Sequence, residues 1–157
     1  MSPVKTNLAV FLSGGGTGLQ SIIDASLRGD LSARVAWVVS SSSKAYGLQR
    51  AAKAGIETFV FKPKKYASVE EAGTDLLGKL RERKIEYIAL AGYLKLLPAN
   101  VVAAFPKRIL NIHPGLLPKY GGKGMYGSRV HRAVLDYGAK ISGITVHFVD
   151  EEYDGKL

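Results

Sequence analysis

Two short stretches of this 157-residue chain combine residue types and spacing that could do chemistry: Ser13–Gln20, "SGGGTGLQ", and Asn111–Pro114, "NIHP". The first follows an apolar run, Leu8–Leu12, and precedes apolar residues at helical spacing. A glycine-rich turn from strand to helix lets backbone N–H groups converge on an anion, and the helix N-terminus adds positive potential. The same glycines also suit a plain tight turn, so the stretch alone leaves both open. A dinucleotide fingerprint would need G-x-G-x-x-G and a carboxylate after the next strand. Gly14 and Gly16 fit, but Leu19 stands in the third glycine's place, and the next strand runs into "SSSSK". The lysine of a nucleoside-triphosphate loop is missing too. A single phosphomonoester suits the loop better.

In the second stretch Asn111 and His113 are two residues apart, so a strand would put both on one face. An amide donor beside an imidazole is what a developing oxyanion needs. A lone histidine is more often structural; position at the end of a strand, beside other chemically loaded loops, argues for chemistry here. His147 alternates with Val146 and Phe148 and is expected as a buried partner near the site. His131 lies in a helical pattern and reads either as surface or as a residue standing behind the site. The acidic stretch Asp150–Gly155, "DEEYDG", is a solvated turn unless it folds back over His113. No cluster has zinc or calcium spacing, so no metal is expected.

These stretches must be positioned by elements, and the elements alternate. Strands are expected at Leu8–Leu12, Ala33–Ser40, Glu57–Phe61, Tyr87–Ala91, Arg108–Ile112 and Ile141–Val149. Between them, Leu19, Ile22, Ile23 and Leu27 recur at helical spacing, and a short helix in "AYGLQRAAKAG" stops at Gly55. Ser68 and Glu71 offer a capping box for a helix reaching about Lys84. Pro98 is expected as the first residue of another short helix, and Ser128–Tyr137 reads as helical. Strands alternating with helices predict an α/β fold with a doubly wound, mostly parallel sheet and helices on both faces. Ligands then bind beyond the carboxyl ends of the strands, where three loaded segments converge: "SGGGTG", "GYLKLL" and "NIHPGLLPKY".

Composition bounds the function classes. Hydrophobic content of 46% with 22% charged residues is ordinary for one soluble globular domain. No apolar run is long enough for a membrane span or a signal-peptide core. Zero cysteines leave no disulfide framework, which suits the cytoplasm. The net charge of +9 favours anionic partners, but the lysines are dispersed. The densest cluster, Phe61–Tyr66, lacks the interleaved aromatics of a single-strand binding platform, so neither nucleic acid nor membrane is expected as a partner.

Taken together these segments resemble the phosphoribosylglycinamide formyltransferases, the folate-dependent enzymes of purine synthesis. "SGGGTGLQSIID" is similar to the family's first loop, S-G-x-G-[ST]-N-L-Q, with Gly18 in place of its asparagine. "LNIHPGLLPKY" is similar to the central segment, with Gly115 for serine, and "GITVHFVDEEYDG" to the last motif. The resemblance runs from Asn7 onward and implies a Rossmann-like formyltransferase fold. It implies that Gly16, Thr17 and Gly18 hold the substrate phosphate. Leu94, Lys95, Leu96 and Leu97, with Asp150, would line the folate pocket. Asn111, His113 and Asp154 would be catalytic, with His147 behind them. The implied substrates are glycinamide ribonucleotide and 10-formyltetrahydrofolate, without a metal. The Leu117–Pro118 bond is expected cis. Residues 1–157 are expected to form a single domain that stops short of the family's C-terminal strands and helix. Three alternatives stay open at this point: another formyl-folate enzyme with a different acceptor or with water, a basic nucleic-acid-binding domain, and a non-catalytic binder of anionic nucleotides.

Overall fold

A computed structural model describes residues 5–114 and 144–148, with the backbone alone at 113, 114 and 144–148. The alternation read from the sequence is present as β1 (Thr6–Leu12), α1 (Thr17–Arg28), β2 (Ala33–Ser40), α2 (Gly47–Lys53), β3 (Thr58–Val60), a 3-10 turn (Pro63–Lys65), α3 (Val69–Glu82), β4 (Tyr87–Ala91), α4 (Ala99–Ala104), β5 (Ile109–Pro114) and β6 (Ile144–Phe148). The sheet order is β3-β2-β1-β4-β5-β6. The first five strands are parallel and β6 runs antiparallel to β5.

The central strands are continuous apolar runs because both of their faces are covered. Along β1 the residues alternate between two cores with the strand's period of two. Leu8, Val10 and Leu12 pack with Leu19, Ile22 and Ile23 of α1; Ala9 and Phe11 pack with Leu76 and Leu80 of α3 and Val101 of α4. The expected helix on either face is therefore real, and β1 sits between them.

Several expected boundaries move, each for a local reason. Leu27 does not join the apolar face of α1 and is 81% exposed. The helix turns Ser26 inward instead, and the Ser26 hydroxyl donates to the Ala33 carbonyl at 2.7 Å. Pro98 caps α4 rather than opening it: its ψ of 143° is extended, and its carbonyl accepts from the Val101 N–H at 2.9 Å. Strand β3 is shorter than expected, at three residues. Strand β5 starts one residue later and runs on through His113 and Pro114. The expected helix stop at Gly55 holds, with φ +75° and the Ile56 N–H donating to the Ala51 carbonyl. Ser68 caps α3 by accepting from the Glu71 N–H at 3.0 Å. The expected helix at Ser128–Tyr137 lies outside the described residues, as do the outer ends of the expected sixth strand.

Candidate active site

The sheet order reverses between β1 and β4, so their adjoining carboxyl ends open the crevice in which doubly wound folds bind ligands. Ser13 ties this edge together. Its N–H donates to the Gly92 carbonyl after β4 at 3.0 Å, and its hydroxyl accepts from the Leu94 N–H at 2.8 Å. The same hydroxyl shares a 2.6 Å hydrogen bond with Ser41 after β2. One short side chain thus fixes three loops relative to one another.

The glycine loop is shaped by what surrounds it. Gly16 caps α1 in the left-handed region, φ 81° and ψ 23°, which favours glycine. A Cβ on Gly16 would also lie 2.6 Å from the Gly47 Cα, so α2 could not approach. The Gly14 carbonyl accepts from the Gly47 N–H at 2.9 Å, and the Gly15 carbonyl accepts from Arg50 Nε at 2.7 Å. With those carbonyls held toward α2, the first N–H groups of α1, which have no intrahelical acceptor, are the groups left for a ligand. Residues 14–18 line a recess of about 150 Å³ together with Ala91, Gly92 and Ile112. Gly18 lies against its β4 wall: a Cβ there would come within 3.2 Å of the Ala91 Cβ.

The remaining expected residues that are described lie on β5 and just beyond β4. Asn111 is half-buried on β5, beside Leu90 of β4 and opposite His147 of β6 in register. Position 113 is opposite Thr145 and shares the face of Asn111 by strand alternation. That face is the α3–α4 side, since Ile109 belongs to its core while Leu110 and Ile112 belong to the other. The glycine recess, lined in part by Ile112, and the Asn111 position therefore lie on opposite faces of one carboxyl edge. Beyond β4, Leu94 and Leu96 are 83% and 59% exposed, whereas Leu97 is buried in the α3–α4 core. The Leu94 N–H is already engaged by Ser13. Asp150, Asp154, the Leu117–Pro118 bond and the side chains of His113 and His147 lie outside the described residues.

Displaced pKa values among the described residues belong to α3 and its neighbours, Glu57, Tyr66, Asp75 and Arg83, not to the recess. No three described histidine, aspartate or glutamate side chains converge as metal ligands. The sequence reading missed Ser41, Gly47 and Arg50. Their partners lie 28 to 35 residues away, so no local spacing announces them.

Residues 6–156 match the model of the formyl transferase family, and the chain belongs to that family. Within it, the similarity is to the phosphoribosylglycinamide formyltransferases. The chloroplastic one of Arabidopsis thaliana is 46% identical over 153 residues, covering 97% of this chain and 52% of the relative. That of Haemophilus influenzae is 43% identical over 148 residues, covering 94% and 68%. The crystal structure of glycinamide ribonucleotide transformylase 1 from Geobacillus kaustophilus matches with a TM-score of 0.72 and 44% identity, over 94% of this chain and 76% of that one. The chain thus spans about half the length of the Arabidopsis relative.

Proposed function

We propose that the protein transfers the formyl group of 10-formyltetrahydrofolate to the amine of glycinamide ribonucleotide, a step in purine synthesis. The observation that carries the reading is the glycine recess and the Asn111 strand meeting at one carboxyl edge, at the switch point between β1 and β4. Phosphate in the recess, held by Gly16, Thr17 and Gly18, anchors the ribonucleotide. Exposed Leu94 and Leu96 give the folate an apolar platform, with Lys95 beside them, Leu97 supporting from the core, and Asp150 assigned to the same pocket by family resemblance.

The amine nitrogen attacks the formyl carbon, and the carbonyl π electrons move onto oxygen. Asn111 and His113 donate to that oxyanion as charge develops. Collapse re-forms the C=O bond and breaks the bond to the folate nitrogen, which His113 helps to protonate. Asp154 raises the basicity of His113 and, through water, takes the proton lost by the amine. His147, opposite Asn111, backs the pair. No step requires a metal. Residues 1–157 are read as one formyltransferase domain whose partners are these two small molecules, not nucleic acid or membrane. Among the described residues no helix is long and apolar enough to cross a membrane. A cytoplasmic location is proposed from the cysteine-free composition; the Arabidopsis relative is chloroplastic, and cell fractionation separates the two.

The test is formyl transfer measured with 10-formyltetrahydrofolate and either glycinamide ribonucleotide or its dephosphorylated ribonucleoside. Turnover of the ribonucleotide with strong preference over the ribonucleoside is expected. No formylated product from a cooperatively folded protein would overturn the reading.

A further inference from the structure

Arg50 stands outside every role assigned so far, yet it touches the loop that forms the recess. Its Nε donates to the Gly15 carbonyl at 2.7 Å, and its terminal nitrogen donates to Gln20 Oε1, in the first turn of α1, at 3.3 Å. The guanidinium carbon lies 5.1 Å from the centre of the Tyr46 ring. The side chain is therefore held on three sides, and it joins α2 to both the loop and the helix that follows it.

Such a tie has a specific use. A Cβ on Gly14 or Gly15 would meet nothing within 4 Å, so there is open space beside both residues. Glycine adopts φ of either sign at little cost, so an untied plane could turn its carbonyl oxygen toward the recess. A carbonyl dipole pointing inward would repel a phosphate and remove an N–H donor from it. Hydrogen bonds hold both carbonyls outward, from the Gly47 N–H to the Gly14 carbonyl and from Arg50 to the Gly15 carbonyl. The second is the charge-assisted one, hence the stronger.

We propose that Arg50 is a positioning residue for phosphate capture. It holds the Gly15 carbonyl against α2, so that the amides opening α1 stay turned toward the recess. This rests on the phosphate reading above, and the experiment separates the two. Binding of glycinamide ribonucleotide and of its ribonucleoside is measured by calorimetry on the full chain, on R50Q and on R50K. The parent is expected to prefer the ribonucleotide. R50Q is expected to bind the ribonucleotide about tenfold more weakly and the ribonucleoside as the parent does. R50K keeps the charge but cannot span the Gly15 carbonyl and Gln20 together, so its preference falls between the two. A merely structural role would lower the melting temperature and leave the ratio of the two affinities unchanged. Equal affinities of the parent for the two ligands would overturn the phosphate reading and the role of Arg50 with it. A parent that discriminates, with R50Q discriminating equally well, would overturn the role of Arg50 alone. If R50Q melts below the measuring temperature, R50K carries the test, and a ratio equal to the parent's refutes the proposal.

Discussion

At the scale of single residues, the site depends on groups whose value lies in orientation. Asn111 is half-buried on β5, opposite His147, in the position to present an amide to the carboxyl edge. If that amide donates to the oxyanion, Asn111→Ala should lower kcat by about 10²–10³ and leave KM for both substrates nearly unchanged. The interaction strengthens only as charge develops, which is why ground-state binding is spared. Steady-state kinetics together with a melting curve checks this. A variant that melts early yet turns over normally per folded molecule would make Asn111 a strand-edge residue only. Gly16 shows the opposite kind of residue, one defined by having no side chain. Its positive φ disfavours a Cβ, and its contact with Gly47 leaves no room for one.

At the scale of elements, α3 is pinned from outside as well as by its apolar face. Ser68 caps it, and Arg83, just past its end, lies over the Trp37 ring at 4.5 Å and pairs with Glu57 at 2.7 Å. The hydrogen bond from Arg83, with its charge, holds the Glu57 carboxyl below its usual range against the opposing effect of burial. Near the start of the helix, the Tyr66 hydroxyl donates to Asp75 at 2.7 Å. Burial first, then the Asp75 hydrogen bond and charge, push the Tyr66 phenol up from 10.0 to about 12. The raised value favours the protonated form in the folded state. Its stabilisation is therefore full below the unfolded value near 10 and is lost as pH rises through about 12. Tyr66→Phe should be less stable than the parent by about 1 kcal/mol at neutral pH. The gap should close between pH 10 and 12. Chemical denaturation of both proteins at stepped pH measures it, and a gap independent of pH across that window would refute the coupling.

At the scale of the whole molecule, two cores on the two faces of one sheet hold the loops in place. The α3–α4 face contains Leu76 with no exposed surface, whereas Leu27 at the end of α1 is 81% exposed. Leu76→Ala should cost about 2–5 kcal/mol, through lost burial and the cavity left behind. Leu27→Ala should stay within about 0.5 kcal/mol of the parent. Urea denaturation of the two variants decides it; comparable losses would mean that α1 buries its last turn against something. Because β1 lies between both cores and carries Ser13 at its end, loosening either face should reach the recess.

The sequence by itself determined the class of fold and the segments that hold the site. Apolar runs such as "YIALA" mark strands buried on both faces, and Ser68 with Glu71 marks a helix start, because both depend on neighbours within a few residues. The glycine loop and "NIHP" were legible for the same reason. What local spacing could not supply was decided by tertiary structure. The order β3-β2-β1-β4-β5-β6 brings "SGGGTG" beside "GYLKLL" across three intervening α-β units. The turn of α1 that hides Ser26 and exposes Leu27 depends on the Ala33 carbonyl of the next strand. The hydroxyl of Ser13 meets Ser41 and the amide of Leu94, and Arg50 meets Gly15, only after the strands have paired. Such contacts follow from how the layers pack, and a directional hydrogen bond between residues 28 to 81 apart leaves no periodic trace in the chain.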